Sequence, residues 1–304
     1  MKQKILIIIA ILFVFTTGCT TPLKDKNNKM VIYEPTGQRL TKNILCQPQN
    51  KEIKETYIKN GIQVDKLPTC DNFRVTTGGY EGLWASFFIK PLAYFVIKIG
   101  NIIGNYGVGL IIVSLLIRFI MVPFTKKTAI QSENMKKAKP EIERLEKKYK
   151  DAKNKDDMMK KSQELIMIYK KHEINPVYSC LFGIIQLPLI FAFLEAINRI
   201  PAIFEDHFLT MQLGTTPYIG LKQGNIIYII TVILIMVLTY YSFKLSNAAY
   251  GEEQQKQMKM FMPIMIILIT TASFGLPTAI GIYWITSSVV TVAQNLLVKK
   301  DRGE

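Results

Sequence analysis

The sequence is poor in the residues that usually build catalytic and metal sites. Its 304 residues include two histidines and four scattered cysteines, and the P-loop, zinc-protease and serine-hydrolase motifs are all missing. His172 and His207 fall in or beside loops that the topology below places on opposite sides of a membrane, and Cys180 lies in an apolar run without a nearby histidine. We therefore expect no enzyme, no metal and no cofactor. The scattered cysteines also exclude a disulfide-built scaffold.

Acidic residues are scarce beside basic ones, and charged and apolar residues occupy separate blocks. The chain has 38 Lys and Arg against 23 Asp and Glu, a net charge of +15, and a mean hydropathy of +0.19 although 20% of its residues are charged. Long apolar runs lie on both sides of a polar, basic block at residues 126–171. This segregation excludes a single soluble globule and a disordered chain, and it predicts a membrane protein.

The first residues have the layout of a bacterial secretory signal. A basic start precedes an apolar run at residues 5–15 that is too short to cross a bilayer, and Gly18-Cys19 follows. We predict a signal peptide at residues 1–18 and lipidation of Cys19, although Thr16 is unusual at the third position before such a cysteine. Ordinary cleavage and an uncleaved anchor are the alternatives. A lipid would position the segment that follows it.

Residues 19–80 are polar and show little periodicity. We therefore expect them to form a small, loosely ordered extracellular segment. Cys46 and Cys70 both lie there, in an oxidising location. A disulfide between them would contribute about 3 kcal/mol by closing a loop of roughly 25 residues. Two free thiols are the alternative.

The core at residues 101–300 holds enough apolar sequence for five membrane spans. The last apolar stretch is too long for one crossing, and Gly275-Leu276-Pro277 is its natural break. The predicted spans lie at about residues 102–124, 176–197, 225–244, 260–274 and 277–298. Before them, residues 81–100 predict an amphipathic helix along the outer membrane surface, with Trp84 as an interface residue. A packed extracellular helix is the alternative for this segment.

Basic residues flank the spans on one side and predict the orientation. They cluster at both ends of residues 126–173, in the connection before the fourth span, and at Lys299, Lys300 and Arg302 next to the tail at residues 301–304, so these parts are expected in the cytoplasm. Residues 126–173 predict a hairpin of two helices, with Pro140 starting or kinking the first. Its charge suits ribosomal RNA, anionic lipid or a partner protein, or reflects ordinary positive-inside bias.

Arg118 is the informative residue, because it lies inside the first predicted span. A buried arginine on a lone helix costs about 2.5–3.5 kcal/mol to insert, so it needs water, a partner or an interface. The side chain either snorkels to the cytoplasmic surface or lines a hydrated cavity. Further polar and aromatic residues either form helix-packing hydrogen bonds or line one polar face with Arg118: Gln186, Tyr283, Trp284, Ser287, Ser288, Thr291 and Gln294.

An ordered series of motifs resembles a known family. LIRFI at residues 116–120 is followed by MKKAKPEI at 135–142, LEKKYK at 145–150 and YKKHEINP at 169–176. QLP at residues 186–188, GLP at 275–277 and Tyr283-Trp284 continue the series. Over about residues 82–300 the chain closely resembles the YidC family of membrane protein insertases, the YidC/Oxa/Alb group.

The resemblance implies an all-α polytopic membrane protein with five transmembrane helices around an inward-open hydrophilic groove. It also implies a cytoplasmic hairpin that first receives substrate and a lipoprotein-type signal, as in many Gram-positive members. Arg118 then resembles the groove arginine, and Gln186 and Trp284 resemble groove-lining positions. The short tail puts strong ribosome docking through it in doubt.

The function expected from these observations is insertion and folding of newly made membrane proteins at the bacterial cell membrane. The expected partners are nascent membrane proteins and the lipid bilayer, with the Sec translocon and the ribosome as further candidates and no DNA. A solute transporter that binds an anion at Arg118 is the alternative, although one Gly-Pro break and no internal repeat argue against it. A chaperone that docks finished spans is compatible with insertion.

Overall fold

A computed structural model of the chain describes residues 20–150, 154–175, 188–247 and 252–300. The predicted signal peptide, Cys19, Cys180, the first part of the second predicted span with Gln186, and the tail at 301–304 lie outside the described residues.

The described chain is mostly helical. Its short strands are β1 (Ile32–Tyr33), β2 (Gln38–Arg39), β3 (His207–Phe208) and β4 (Met211–Gln212), which form two antiparallel pairs, β1 with β2 and β3 with β4. The helices are α1 (Lys51–Lys59), α2 (Lys90–Ile103), α3 (Tyr106–Lys148), α4 (Lys155–Lys171), α5 (Pro188–Asn198), α6 (Pro201–Glu205), α7 (Pro217–Lys222), α8 (Ile227–Asn247), α9 (Glu252–Gly275) and α10 (Thr278–Lys300). A π-helical turn, Ala85–Ile89, leads directly into α2.

Four helical segments of the described chain are long and apolar enough to cross a membrane: Ala85–Ile103, Tyr106–Pro123, Ile227–Leu245 and Thr278–Leu297. Two shorter apolar helices, Pro188–Asn198 and Met262–Gly275, fall in the second and fourth predicted spans. The segment Ala85–Ile103 was expected along the membrane surface, yet its length and hydropathy also suit a crossing. Trp84 is buried within the protein, and its indole N–H donates to the Glu195 carboxylate (3.0 Å).

Helix α3 runs without interruption from the membrane segment into the hairpin. Pro123 and Pro140 both lie inside it, so of the two alternatives predicted for Pro140, a helix start or a kink, the helix start is wrong. Each proline removes one backbone hydrogen bond, but the side chains around Pro140 pack on the second hairpin helix. Met135, Ala138 and Ile142 form a buried cluster with Ile174. Burial on both sides of the proline keeps the helix continuous.

The expectation of a loosely ordered segment at residues 20–80 is also wrong. Leu23, Leu40, Ile44, Ile53, Tyr57 and Val64 form a buried core, and Cys46 and Cys70 are joined by a disulfide. The elements are too short for a periodic pattern to show, and the core joins residues far apart in sequence. We call residues 20–80 the N-terminal segment.

The chain divides into two compact units. The first unit comprises Met1–Leu116, Gln186–Ile235 and Thr271–Thr286, and the second comprises Ile117–Ile185, Met236–Thr270 and Ser287–Glu304. Helices α3, α8, α9 and α10 contribute residues to both units. The N-terminal segment belongs to the first unit and the hairpin to the second.

Candidate functional site

The polar centre of the second unit is Arg118 on α3. Its guanidinium donates a hydrogen bond to the Ser287 hydroxyl on α10, and both side chains are buried, with 5% and 6% exposed. The two helices, which are far apart in sequence, are therefore joined by a hydrogen bond between a guanidinium and a hydroxyl. The Ser287 hydroxyl accepts from the guanidinium and helps to hold it in place between the two helices.

Helix α10 continues this polar character along one face. Ser287, Thr291 and Gln294 follow at spacings of four and three residues, which places them on the same side of a helix. The Thr291 hydroxyl donates to the Ser287 carbonyl (3.0 Å), and Ser288 is buried beside them. The Gln294 amide nitrogen is buried and has no hydrogen-bond partner among the described residues. An unsatisfied buried donor suits water or the polar part of a ligand.

The same two helices are apolar where they belong to the first unit. Leu110 and Val113 on α3 are buried, as is Tyr283 on α10. The Tyr283 ring stacks on Phe193 of α5, with ring centroids 4.3 Å apart. Tyr283 thus contributes to apolar packing, and Trp284 is half-buried in the same unit. Of the predicted groove residues, the structure brings Arg118 and Ser287 into contact and places Gln294 on the same helix face as Ser287.

A buried charge cluster in the first unit was missed by the sequence analysis. Lys90 is fully buried, and its ammonium donates to the carbonyls of Thr77 (2.7 Å) and Gly79 (2.6 Å) and pairs with Glu81 (2.9 Å). Arg199, 2% exposed, donates to Glu81 (2.5 Å). Burial favours a raised pKa for the Glu81 carboxyl, but the hydrogen bonds from Lys90 and Arg199 prevail and lower it.

Glu195 completes this cluster from inside an apolar helix. Its carboxylate accepts the Trp84 indole N–H (3.0 Å) and lies 3.6 Å from the Arg199 guanidinium. A glutamate inside the predicted second span was the available signal, since a lone carboxylate there needs a cationic partner. The sequence alone does not identify Arg199 as the cation beside Glu195, or Lys90 as the cation beside Glu81.

The hairpin is closed by apolar packing and by exposed ion pairs. Leu165, Ile168 and Tyr169 pack against the cluster on α3. Lys148 pairs with Glu164 (2.7 Å), and Lys171 pairs with Glu141 (2.8 Å). Hydrogen bonds from Lys171 and then His172 lower the pKa of the Glu141 carboxyl, and those from Lys148 and then Tyr149 lower that of Glu164.

His172 and His207 do not share a site. His172 lies 3.0 Å from the Glu141 carboxylate in the hairpin, and His207 pairs with Gln212 in the first unit. In the ranges that the structure describes, no group of three or more His, Cys, Asp or Glu side chains is placed to hold a metal ion.

The apolar helices and the polar contact at Arg118 define the class: this is an all-α polytopic membrane protein. Residues 98–304 match the model of a family described as "60Kd inner membrane protein". The chain is 34% identical over 220 residues to membrane protein insertase YidC 2 of Listeria innocua, covering 71% of this chain and 72% of that protein. It is 32% identical over 218 residues to membrane protein insertase MisCA of Bacillus subtilis, covering 71% and 79%. The chain belongs to the YidC family of membrane protein insertases.

A solved structure has the same fold. It is described as an active YidC insertase crystal structure with the first transmembrane domain resolved, and it aligns with a TM-score of 0.51 at 22% identity. The alignment covers 80% of this chain and 50% of that chain.

Proposed function

We propose that this chain inserts newly made proteins into the bacterial cell membrane, and that Arg118 and the polar face of α10 receive the polar part of the client. The observation that carries the proposal is the buried hydrogen bond between Arg118 and Ser287, on two helices that are otherwise apolar enough to span the bilayer. Placing a buried arginine within a membrane costs free energy, which favours a functional reason for its presence.

The free-energy barrier to insertion is the passage of the client's polar end. An apolar helix enters lipid favourably, at about 25 cal/mol for each Å² buried, whereas a charged segment must lose its water. A polar surface part-way across the bilayer shortens the dry path. At an effective dielectric constant near 20, an arginine at contact distance attracts a carboxylate by up to about 4 kcal/mol, which favours clients with acidic translocated ends.

Two further features support this path. The apolar helix Met262–Gly275 has 14 residues and spans about 21 Å at 1.5 Å per residue, less than the roughly 30 Å of hydrocarbon in a bilayer. Such a mismatch thins the adjacent bilayer. The basic hairpin formed by the end of α3 and by α4 has four exposed large apolar side chains on α4: Met158, Met159, Ile166 and Met167. Flexible methionines suit the reception of varied apolar clients.

The proposal includes a topology that follows from the charge pattern. A signal peptide at residues 1–18 and a lipid on Cys19 place the N-terminal segment outside, and five spans then place the C-terminus in the cytoplasm. The clients are nascent membrane proteins, with folding assistance, the Sec translocon and the ribosome as further elements. No observation in the described structure favours an anion transporter, and solute flux through client-free liposomes would separate it from an insertase.

The test compares clients in liposomes that contain the purified protein. Arg118→Ala should lower the insertion of a single-span client with an acidic translocated end about tenfold or more, and that of a neutral-ended client much less, because a few kcal/mol of attraction is lost. Arg144→Ala is the matched control, since Arg144 is an exposed arginine on the same helix. Equal losses for both clients would contradict an electrostatic role.

A further inference from the structure

We propose that the N-terminal segment, residues 20–80, is a clamp that fixes the connection between the second and third predicted spans. That connection, residues 198–225, contains α6, β3, β4 and α7. Both parts belong to the first unit, and the family match begins after the N-terminal segment, at residue 98. The inference concerns a region to which the insertion proposal gives no role, so either can fail alone.

The first contact lies at the carboxyl end of α5. The Thr41 hydroxyl donates to the Asn198 carbonyl (3.0 Å), and the Leu45 amide donates to the Arg199 carbonyl (2.8 Å). These carbonyls lie at the carboxyl end of α5, where a helix has no internal donors for them. The N-terminal segment therefore terminates α5.

In the second contact, a side chain of the connection caps a helix of the N-terminal segment. The Glu205 carboxylate, at the end of α6, accepts hydrogen bonds from the amides of Gln49 (2.9 Å) and Asn50 (3.1 Å). Asn50 is the N-cap residue of α1, so a negative charge from the connection lies at the positive end of a helix in the N-terminal segment. The N-terminal segment thus supplies donors to the carboxyl end of α5, and the connection supplies an acceptor to the amino end of α1.

Arg199 joins this contact to the buried charge cluster. Its Nε donates to the Asn43 carbonyl (2.6 Å), while the rest of the guanidinium meets Glu81 and Glu195. One side chain thus holds the N-terminal segment, the stretch that precedes α2, and α5. With 2% exposure, it has no room to move without breaking these bonds.

A separate contact lies at the β1–β2 turn. The Thr216 backbone amide donates to the Thr36 carbonyl (2.9 Å), and the side-chain amide of Gln223 donates to the Pro35 carbonyl (2.9 Å). Gly37 has φ +71°, and a Cβ there would lie 2.8 Å from a side-chain carbon of Ile219 on α7. The turn fits closely against the connection, and only glycine allows both the backbone conformation and the approach.

The disulfide makes the clamp sensitive to reduction. Cys46 directly follows Leu45 and precedes Gln49 and Asn50, which are all docking residues, and its bond to Cys70 ties this stretch to the chain leading to Thr77 and Gly79. Reduction removes this covalent link but leaves the hydrogen bonds that Gln47 donates to the carbonyls of Pro68 (2.9 Å) and Leu67 (2.6 Å), so the contacts with Arg199 and Glu205 loosen rather than break. The clamp is therefore firm in an oxidising compartment and weaker where thiols are reduced.

Hydrogen exchange of the full-length protein in nanodiscs tests the clamp. Glu205→Ala should speed exchange at the Gln49 and Asn50 amides roughly tenfold, the size expected for a lost cap. The matched control is Glu55→Ala, an exposed glutamate on α1, which should leave these amides unchanged. Reducing the wild-type protein with dithiothreitol provides a second measurement without a substitution and should speed exchange at Leu45, Gln49 and Thr216.

The interior of α8 distinguishes loosening from unfolding. The amides of Val232 and Ile235, which are buried residues of the first unit, should keep their slow exchange in Glu205→Ala and in the reduced protein. Unchanged exchange at the docking amides under both treatments would overturn the clamp. An equal rise at Val232 and Ile235 would overturn it as well, since the segment would then contribute only general stability.

Discussion

Two buried arginines show how the two units differ. Arg199 in the first unit is surrounded by the carboxylates of Glu81 and Glu195 and by a backbone carbonyl. Arg118 in the second unit donates to the hydroxyl of Ser287. Their burial is nearly the same, at 2% and 5% exposed. Burial alone therefore does not identify a functional arginine, and it is the two carboxylates beside Arg199 that indicate a structural role for that residue.

The largest expected effect is the loss of folding stability when Arg199 is replaced. Arg199→Ala leaves Glu195 buried without its cation and should lower the free energy of unfolding by about 3–5 kcal/mol. Arg118→Ala should change it less, because a hydroxyl such as that of Ser287 loses less free energy with its donor than a buried carboxylate loses with its cation. Thermal unfolding in detergent checks both variants, and similar losses for the two would show that the arginines play equivalent structural roles.

The next largest effect concerns client insertion when the hydroxyl of Ser287 is removed. Ser287→Ala removes the hydroxyl that orients Arg118, and a hydrogen bond to a charged group contributes about 1.5–3 kcal/mol. Insertion of acidic-ended clients should fall roughly tenfold, while the free energy of unfolding should fall by no more than the roughly 1.5–3 kcal/mol of that hydrogen bond. Thr286→Ala is the matched control, because that hydroxyl donates to the Ile282 carbonyl of its own helix (2.9 Å). A larger loss in the control would remove Ser287 from the site.

The smallest effect concerns the exposed ion pairs of the hairpin. The pKa values of Glu141 and Glu164 are lowered by their cationic partners, so the stabilisation is fully present above their ordinary pKa of 4.5 and is lost as the pH falls through the lowered values. Protease cleavage of the hairpin should become faster only below that pH. Glu141→Gln should reduce the pH dependence, whereas Glu55→Gln, in the N-terminal segment, should leave it unchanged.

Sequence patterns located the features that depend on local chemistry. Helix α9 ends at Gly275 and α10 begins at Thr278, at the break that the Gly-Leu-Pro motif indicates. Arg118 stood out because a charge in an apolar run is conspicuous, and Ser287 because polar residues recur on one face of α10. Such signals need only a few neighbouring residues, so a single sequence contains them.

Features that depend on distant contacts were not predictable in the same way. Pro140 indicated a helix boundary, but the packing of Met135 and Ile142 keeps α3 continuous. The N-terminal segment has no periodic pattern, because its core assembles from short elements and a disulfide. Glu205 and Arg199 contact the N-terminal segment through residues more than a hundred positions away in sequence.

Site-specific photocrosslinking during client synthesis tests the central claim most directly. A crosslinker at Gln294, on the polar face of α10 in the second unit, should trap a nascent single-span client, and one at Tyr283, packed on Phe193 in the first unit, should not. The yield at Gln294 should fall when Arg118 is replaced by alanine and the client end is acidic. Equal crosslinking from both positions, or none from Gln294, would contradict a client path along the polar face.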